Sequence, residues 1–193
     1  MIPSTGRRLP VGADRYKPAA MFLHWVIALG ILAAVGMGLY MTVEPMTPIR
    51  FRVINWHKWL GILLLAATMA RCIYRACHRP PPHVPPLSRM QHLAAGAVHA
   101  ALYVLCLTVP LAGWAQTSAV GRPVVFFGML RLPDIAPPDS GLADTLKDAH
   151  HLLAWALVIL IALHAAAAIK HHLIDRDGVL ARMLPRLSHR SSL

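Results

Sequence analysis

Four apolar stretches constrain this chain more than anything else in it. They run from Ala20 to Met41, from about Trp56 to Tyr74, from about Leu93 to Ala115 and from about His150 to Ile169. At 1.5 Å per helical residue, each covers roughly the 30 Å of a bilayer's hydrocarbon. Inside lipid a backbone must satisfy its own polar groups, and four such blocks in an open chain do that only as helices. The sequence therefore predicts an all-α, integral membrane four-helix bundle, a single transmembrane domain over 1–193 with helices at about 19–42, 56–77, 92–116 and 149–173. Pro110 falls inside the third block, where its missing amide proton predicts a kink.

Composition agrees with this partition. The chain is 56% hydrophobic and only 14% charged, against about a quarter charged in soluble domains. A formal net charge of +11 raises the question of nucleic acid. The basic residues, however, flank apolar blocks and lack interleaved readout side chains, so topology and anionic lipid account for them, and no nucleic-acid partner is expected. With four spans, the N-terminal segment, the second connection and the C-terminal tail share one side and carry most Lys and Arg. The other side holds Arg50, Arg52, Lys58, Arg122, Arg131 and Lys147. The positive-inside rule then places both termini in the cytoplasm. Arg7, Arg8, Arg15 and Lys17 precede a first block too long for a signal-peptide core, so that block is expected to remain as an anchor.

Breaker chemistry punctuates the connections. Glu44-Pro-Met-Thr-Pro48 closes the first helix, Pro80 to Pro86 is a stiff polyproline-like link, and Thr117 to Lys147 reads as the one long loop. The cysteines Cys72, Cys77 and Cys106 form no CxxC and no CxxCH, which excludes covalent haem attachment by motif.

Ionisable residues at membrane depth default to function, and here they are histidines. His150 and His164 lie 14 residues apart on one helix, close to four turns, so they share a face about 21 Å apart along the axis. Two ligands stacked in that way can each serve one haem. His24 lies near the level of His164, and His57, at the start of the second helix, near the level of His150. The pairs His24/His164 and His57/His150 predict two non-covalent haem b groups, because bis-histidine ligation favours electron transfer over oxygen binding. Zinc competes weakly, since no Cys or carboxylate accompanies these histidines inside the spans. His99 sits at about the depth of His24, so spacing leaves it open as a ligand. His171 lies two turns beyond His164. A histidine that holds no iron could hydrogen-bond a quinone and shuttle its proton. Arg71 reads either as a partner for a haem carboxylate or as an anchor at the helix end. Gly30, Gly36, Gly38, Gly61, Gly96 and Gly113 admit either a porphyrin or a close helix neighbour.

Tyr16 with FLHW around His24, INWHKWLGI around His57, LYVLCLTVPLAGW after His99, DTLKDAHHLLAW and LHAAAAIKHH through LARMLP resemble the bacterial cytochrome b561 family. The resemblance spans Tyr16 to about Pro185. It implies a di-haem b protein of the bacterial inner membrane with iron ligands at His24, His57, His150 and His164, and quinone contacts at His99 and His171. It further implies superoxide as electron donor on the periplasmic side and ubiquinone as acceptor near the cytoplasmic haem. A basic quinone-assisting residue of the family's second connection aligns near Pro86, so that contact is either absent here or supplied by Arg89 or His83. Lys58, Arg122, Arg131 and Lys147 are the candidates for steering superoxide, with Asp134, Asp139, Asp144 and Asp148 weakening their field. An alternative is a haem b anchor subunit that takes electrons from a redox protein donor such as a separate dehydrogenase or hydrogenase. A third, from another class, is a transporter or metal-handling protein using the same histidines.

Overall fold

The computed structural model describes residues 15–78, 88–176 and 180–184. The link Pro80 to Pro86 with His83, and the basic residues Arg7 and Arg8, lie outside the described residues. Four helices follow in chain order: α1 (Pro18–Val43), α2 (Pro48–Cys77), α3 (Arg89–Ala119) and α4 (Ser140–Lys170). All four are long and apolar enough to cross a membrane.

Each start is set by local chemistry. Pro18 and Pro48 stand in the first turns of α1 and α2, where a missing N–H costs nothing. The Thr47 hydroxyl caps α2 by accepting the Arg50 N–H at 3.1 Å. Ser88 and Gln91 close a reciprocal capping box on α3. The Asp139 carboxylate accepts the Leu142 N–H at 2.7 Å and opens α4. These caps move two boundaries well away from the sequence expectation: α2 begins at Pro48 rather than near 56, and α4 at Ser140 rather than near 149. His57 therefore lies nine residues inside α2 and does not begin it. The expected long loop shrinks accordingly, since Thr117 to Ala119 and Ser140 to Lys147 are helical. Between α3 and α4 a two-stranded hairpin forms, β1 (Val125–Phe126) against β2 (Leu130–Arg131). At its far end α4 widens into a π-turn over His171–Asp175, which Arg176 stops in a left-handed conformation at φ 51°.

α1 packs on α2, α2 on α3 and α3 on α4 in an up-down-up-down bundle. The mid-span core is small, with Ile27 and Ile31 of α1 meeting Leu157 of α4, and Leu64, Leu105 and Val109 packed around them. Of the most apolar window of α3, none is buried within the protein, and of α4 only 6%. Side chains so apolar and so uncovered need lipid around them. α1 and α4 barely touch by backbone. What separates them is a cavity.

Candidate functional site

The cavity measures about 720 Å³, within the roughly 300–1,000 Å³ of cofactor pockets. All four helices line it, and His57 and His150 both face it. Their ring centroids are 6.2 Å apart. With metal–nitrogen bonds of about 2 Å on each side, and about 1 Å more to each ring centre, two imidazoles sharing one ion stand roughly 6 Å apart. His57 and His150 are already at that spacing.

Their tautomers are set by backbone carbonyls. His57 Nδ1 lies 3.1 Å from Ala34 O on α1, and His150 Nδ1 lies 2.9 Å from Val109 O on α3. A carbonyl only accepts, so both Nδ1 atoms carry the proton and both Nε2 lone pairs remain for a metal, the usual outer-shell arrangement of ligating histidines. Val109 immediately precedes Pro110 within α3. In both cases the residue four positions beyond the accepting carbonyl is a glycine, Gly38 after Ala34 and Gly113 after Val109. A Cβ at Gly113 would stand 3.1 Å from the His150 ring, and one at Gly38 would stand 3.9 Å from His57 Cε1. Gly113 makes room for His150, whereas a Cβ at Gly38 would meet His57 only at ordinary contact distance. Gly30 instead admits a helix neighbour, because a Cβ there would meet Leu64 at 2.7 Å.

At the opposite end of α4, His24 and His164 have ring centroids 6.3 Å apart, again the spacing of two imidazoles on one ion. His99 approaches the same His164 ring at 5.3 Å, about an ångström too close for that arrangement. Its Nδ1 is tied back to Ala95 O of its own helix at 2.7 Å. The depth estimate left His24 and His99 equivalent, and ring spacing separates them.

Arg71 braces this end. Its guanidinium donates to the Tyr103 hydroxyl at 3.1 Å and to Ala20 O at 2.7 Å, joining α2 to α3 and α1. Trp25 Nε1 donates to Met183 O at 2.8 Å, and Arg15 donates to Ala181 O and Leu184 O, so the C-terminal turn is clasped beside His24. His171 lies in the π-turn with Nδ1 3.1 Å from Asp175 Oδ2. The same carboxylate receives Lys170 Nζ at 2.7 and 2.9 Å.

The four basic candidates at the loop end divide. Lys58 and Lys147 line the cavity, and Arg122 is close enough to Lys58 for their charges to interact. Arg131 is outside the lining and forms an exposed ion pair with Asp134 at 3.2 Å. A third cation, Arg50, lines the cavity, and its Nε is buried without a hydrogen-bond partner. Sequence reasoning passed over Arg50 because it started α2 too late. The Thr47-Pro48 cap was the available signal, since it sets Arg50, Ile54, His57, Lys58 and Gly61 on one helical face.

Among the described residues no group of three or more His, Cys, Asp or Glu is arranged to hold a metal ion, whereas paired imidazoles in a large apolar cleft suit a porphyrin, whose own nitrogens complete the coordination. The family profile described as prokaryotic cytochrome b561 matches residues 15–186. Cytochrome b561 homolog 2 of Escherichia coli K12 is 34% identical over 176 residues, covering 91% of this chain and 94% of that protein. Cytochrome b561 homolog 1 of the same strain is 30% identical over 176 residues, 90% of this chain and 98% of its own length. A protein of Yersinia pestis named probable superoxide oxidase CybB is also 30% identical over 176 residues, 89% of this chain and 97% of its own. The chain belongs to the prokaryotic cytochrome b561 family: it is a multi-pass bacterial membrane protein of haem b electron transfer.

Proposed function

We propose that this chain holds two haem b groups, one between His57 and His150 and one between His24 and His164. In this reading two superoxide anions each lose one electron at the loop end and leave as dioxygen. One ubiquinone at the other end gains both electrons and two protons. The placement is the bacterial inner membrane with both termini cytoplasmic, supported by the Lys and Arg excess on the termini side. The observation that carries the proposal is the pair of ring spacings, 6.2 and 6.3 Å, at two depths of one helix.

Haem b, when bound, would supply one-electron redox chemistry at potentials tuned by the histidines that hold it and by their hydrogen bonds. The protein supplies the rest. Arg50, Lys58 and Lys147 line the cavity at the loop end and draw an anion toward it. Ala34 O and Val109 O hold the two imidazoles in the ligating tautomer. His171, its ring oriented by the Asp175 carboxylate 3.1 Å from Nδ1, is the candidate for exchanging a proton with the quinone. His99, with its proton on Nδ1, presents an accepting Nε2, which suits the O–H of the product quinol. The resemblance to the Yersinia pestis protein supports superoxide as donor.

Haem quantitation tests the core of this reading. Pyridine haemochrome analysis of purified protein is expected to give two haems per chain, both extractable in acid acetone. His150→Ala and His164→Ala should each remove or convert to high spin a different one. His99→Ala should leave both low-spin signals intact. Loss of a haem in His99→Ala but not in His24→Ala would reassign the inner pair to His99 and His164.

A further inference from the structure

The hairpin between α3 and α4 is built at a cost that the electron-transfer site does not explain. Val125 pairs with Arg131 and Phe126 with Leu130, and the Met129 N–H closes the turn onto Phe126 O at 3.0 Å. The two residues inside that turn, Phe127 and Gly128, have φ of 49° and 73°. Two successive left-handed residues make a turn whose preferred sequence is Asn-Gly. A phenylalanine in the first position is strained, and strain of this kind marks a position held for a purpose. What the strain presents is apolar: Phe127 is 57% exposed, Met129 90% and Leu130 59%.

The depth of the hairpin identifies what covers this surface. Trp59 Nε1 donates to Val125 O at 2.8 Å, and the Trp59 ring lies 5.0 Å from that of Phe127. Trp59 is the residue at which the uninterrupted apolar run of α2, WLGILLLAATMA, begins. The stretch before it mixes Ile49, Phe51, Val53, Ile54 and Trp56 with Arg50, Arg52, Asn55, His57 and Lys58. Eleven residues separate Trp59 from the start of α2 at Pro48, so α2 projects about 16 Å beyond the level of the hairpin. The strands thus sit where hydrocarbon begins and not at the distal tip of the bundle. Trp114, which donates to Pro133 O at 3.2 Å, ties the same loop to α3. Tryptophans at this level are the usual markers of a membrane–water boundary.

We propose that the 125–131 hairpin is a membrane anchor, which places Phe127, Met129 and Leu130 in the headgroup–acyl boundary of the leaflet at the loop end. The occupant of the patch is phospholipid. Anchoring also fixes the rim of the cavity, because Val124 and Trp114 line it. The inference is independent of the electron donor and acceptor.

The test uses the full-length haem-loaded protein in phospholipid nanodiscs containing a lipid with a diazirine near the top of its acyl chain. After illumination, mass spectrometry should find lipid adducts on the peptide containing Met129, at a yield comparable with the ends of the spans. M129E/L130E should lower that yield several-fold with unchanged haem absorbance. F127N replaces a strained residue by one the turn prefers, so it should keep the hairpin while lowering the yield. Span peptides that label while the hairpin does not, with Met129 freely oxidised by a water-soluble oxidant, would overturn the proposal. So would hairpin-to-hairpin crosslinks that appear, and lipid adducts that vanish, in discs holding two copies.

Discussion

At the scale of single residues, each loop-end histidine lies against a glycine, and only one of the two is sterically required. A helical carbonyl already accepts from the amide four residues on, and a second donor reaches it only if the side chain at that position stays out of the way. Gly38 and Gly113 meet that condition for His57 and His150. They are not equally demanding. A Cβ at 3.1 Å from the His150 ring must displace the ring, whereas 3.9 Å from His57 Cε1 is ordinary contact. Gly113→Ala is therefore expected to disturb the Nδ1 bond to Val109 O, lower the retention of one haem and shift its low-spin electron paramagnetic resonance signal. Gly38→Ala should leave both signals close to the wild type. Equal effects of the two substitutions would remove the steric argument. The sequence placed Gly113 in the third span and His150 in the fourth, but it could not reveal their contact, which depends on how far α4 is rotated toward α3. Four iron-ligand candidates, by contrast, were legible because histidines are rare and costly at membrane depth.

At the scale of elements, the apolar cores of the helices were readable and their polar extensions were not. Hydropathy detects unbroken apolar runs, and the first turns of α2 and α4 are interrupted by polar and charged residues such as Arg50, Arg52, Asp144 and Lys147. Only the Thr47-Pro48 and Asp139 caps mark them. The π-turn at the end of α4 was equally hidden, since no local composition demands it. It brings Asp175 onto Lys170 five residues earlier, a spacing that suits the widened turn, while the i,i+4 contact with His171 would also form in an ordinary helix. Asp175→Asn keeps a hydrogen-bonding side chain and removes the negative charge that both Lys170 Nζ and His171 Nδ1 contact. The expected outcome is a several-fold slower reoxidation of the reduced haems by a soluble quinone, with reduction from the loop end unchanged. Stopped-flow absorbance reads both steps separately. A variant that slows both would point to a loss of structure at the end of α4.

At the scale of the molecule, two ends with different chemistry face opposite membrane surfaces. The termini end closes on itself, with Arg71 bracing three helices and the C-terminal turn clasped to Arg15 and Trp25. The loop end opens into a cavity lined by Arg50, Lys58 and Lys147. A small anion approaching that opening meets a concentrated positive field, and low-dielectric walls focus it. The interaction acts over distance through water, so salt must weaken it, with a screening length of about 10 Å at 0.1 M ionic strength and about 3 Å at 1 M. Haem reduction by a superoxide source is accordingly expected to slow as salt rises. Lys58→Gln and Lys147→Gln should each slow it at low salt, and their combination should flatten the salt dependence. Arg131→Gln serves as the internal control, because Arg131 lies outside the cavity lining and its charge is opposed by Asp134. If Arg131→Gln slowed reduction as much as Lys58→Gln, the cavity would not be the entry. If the wild-type rate were slow and indifferent to salt, superoxide would not be the donor, and reduction by a docked redox protein would take its place.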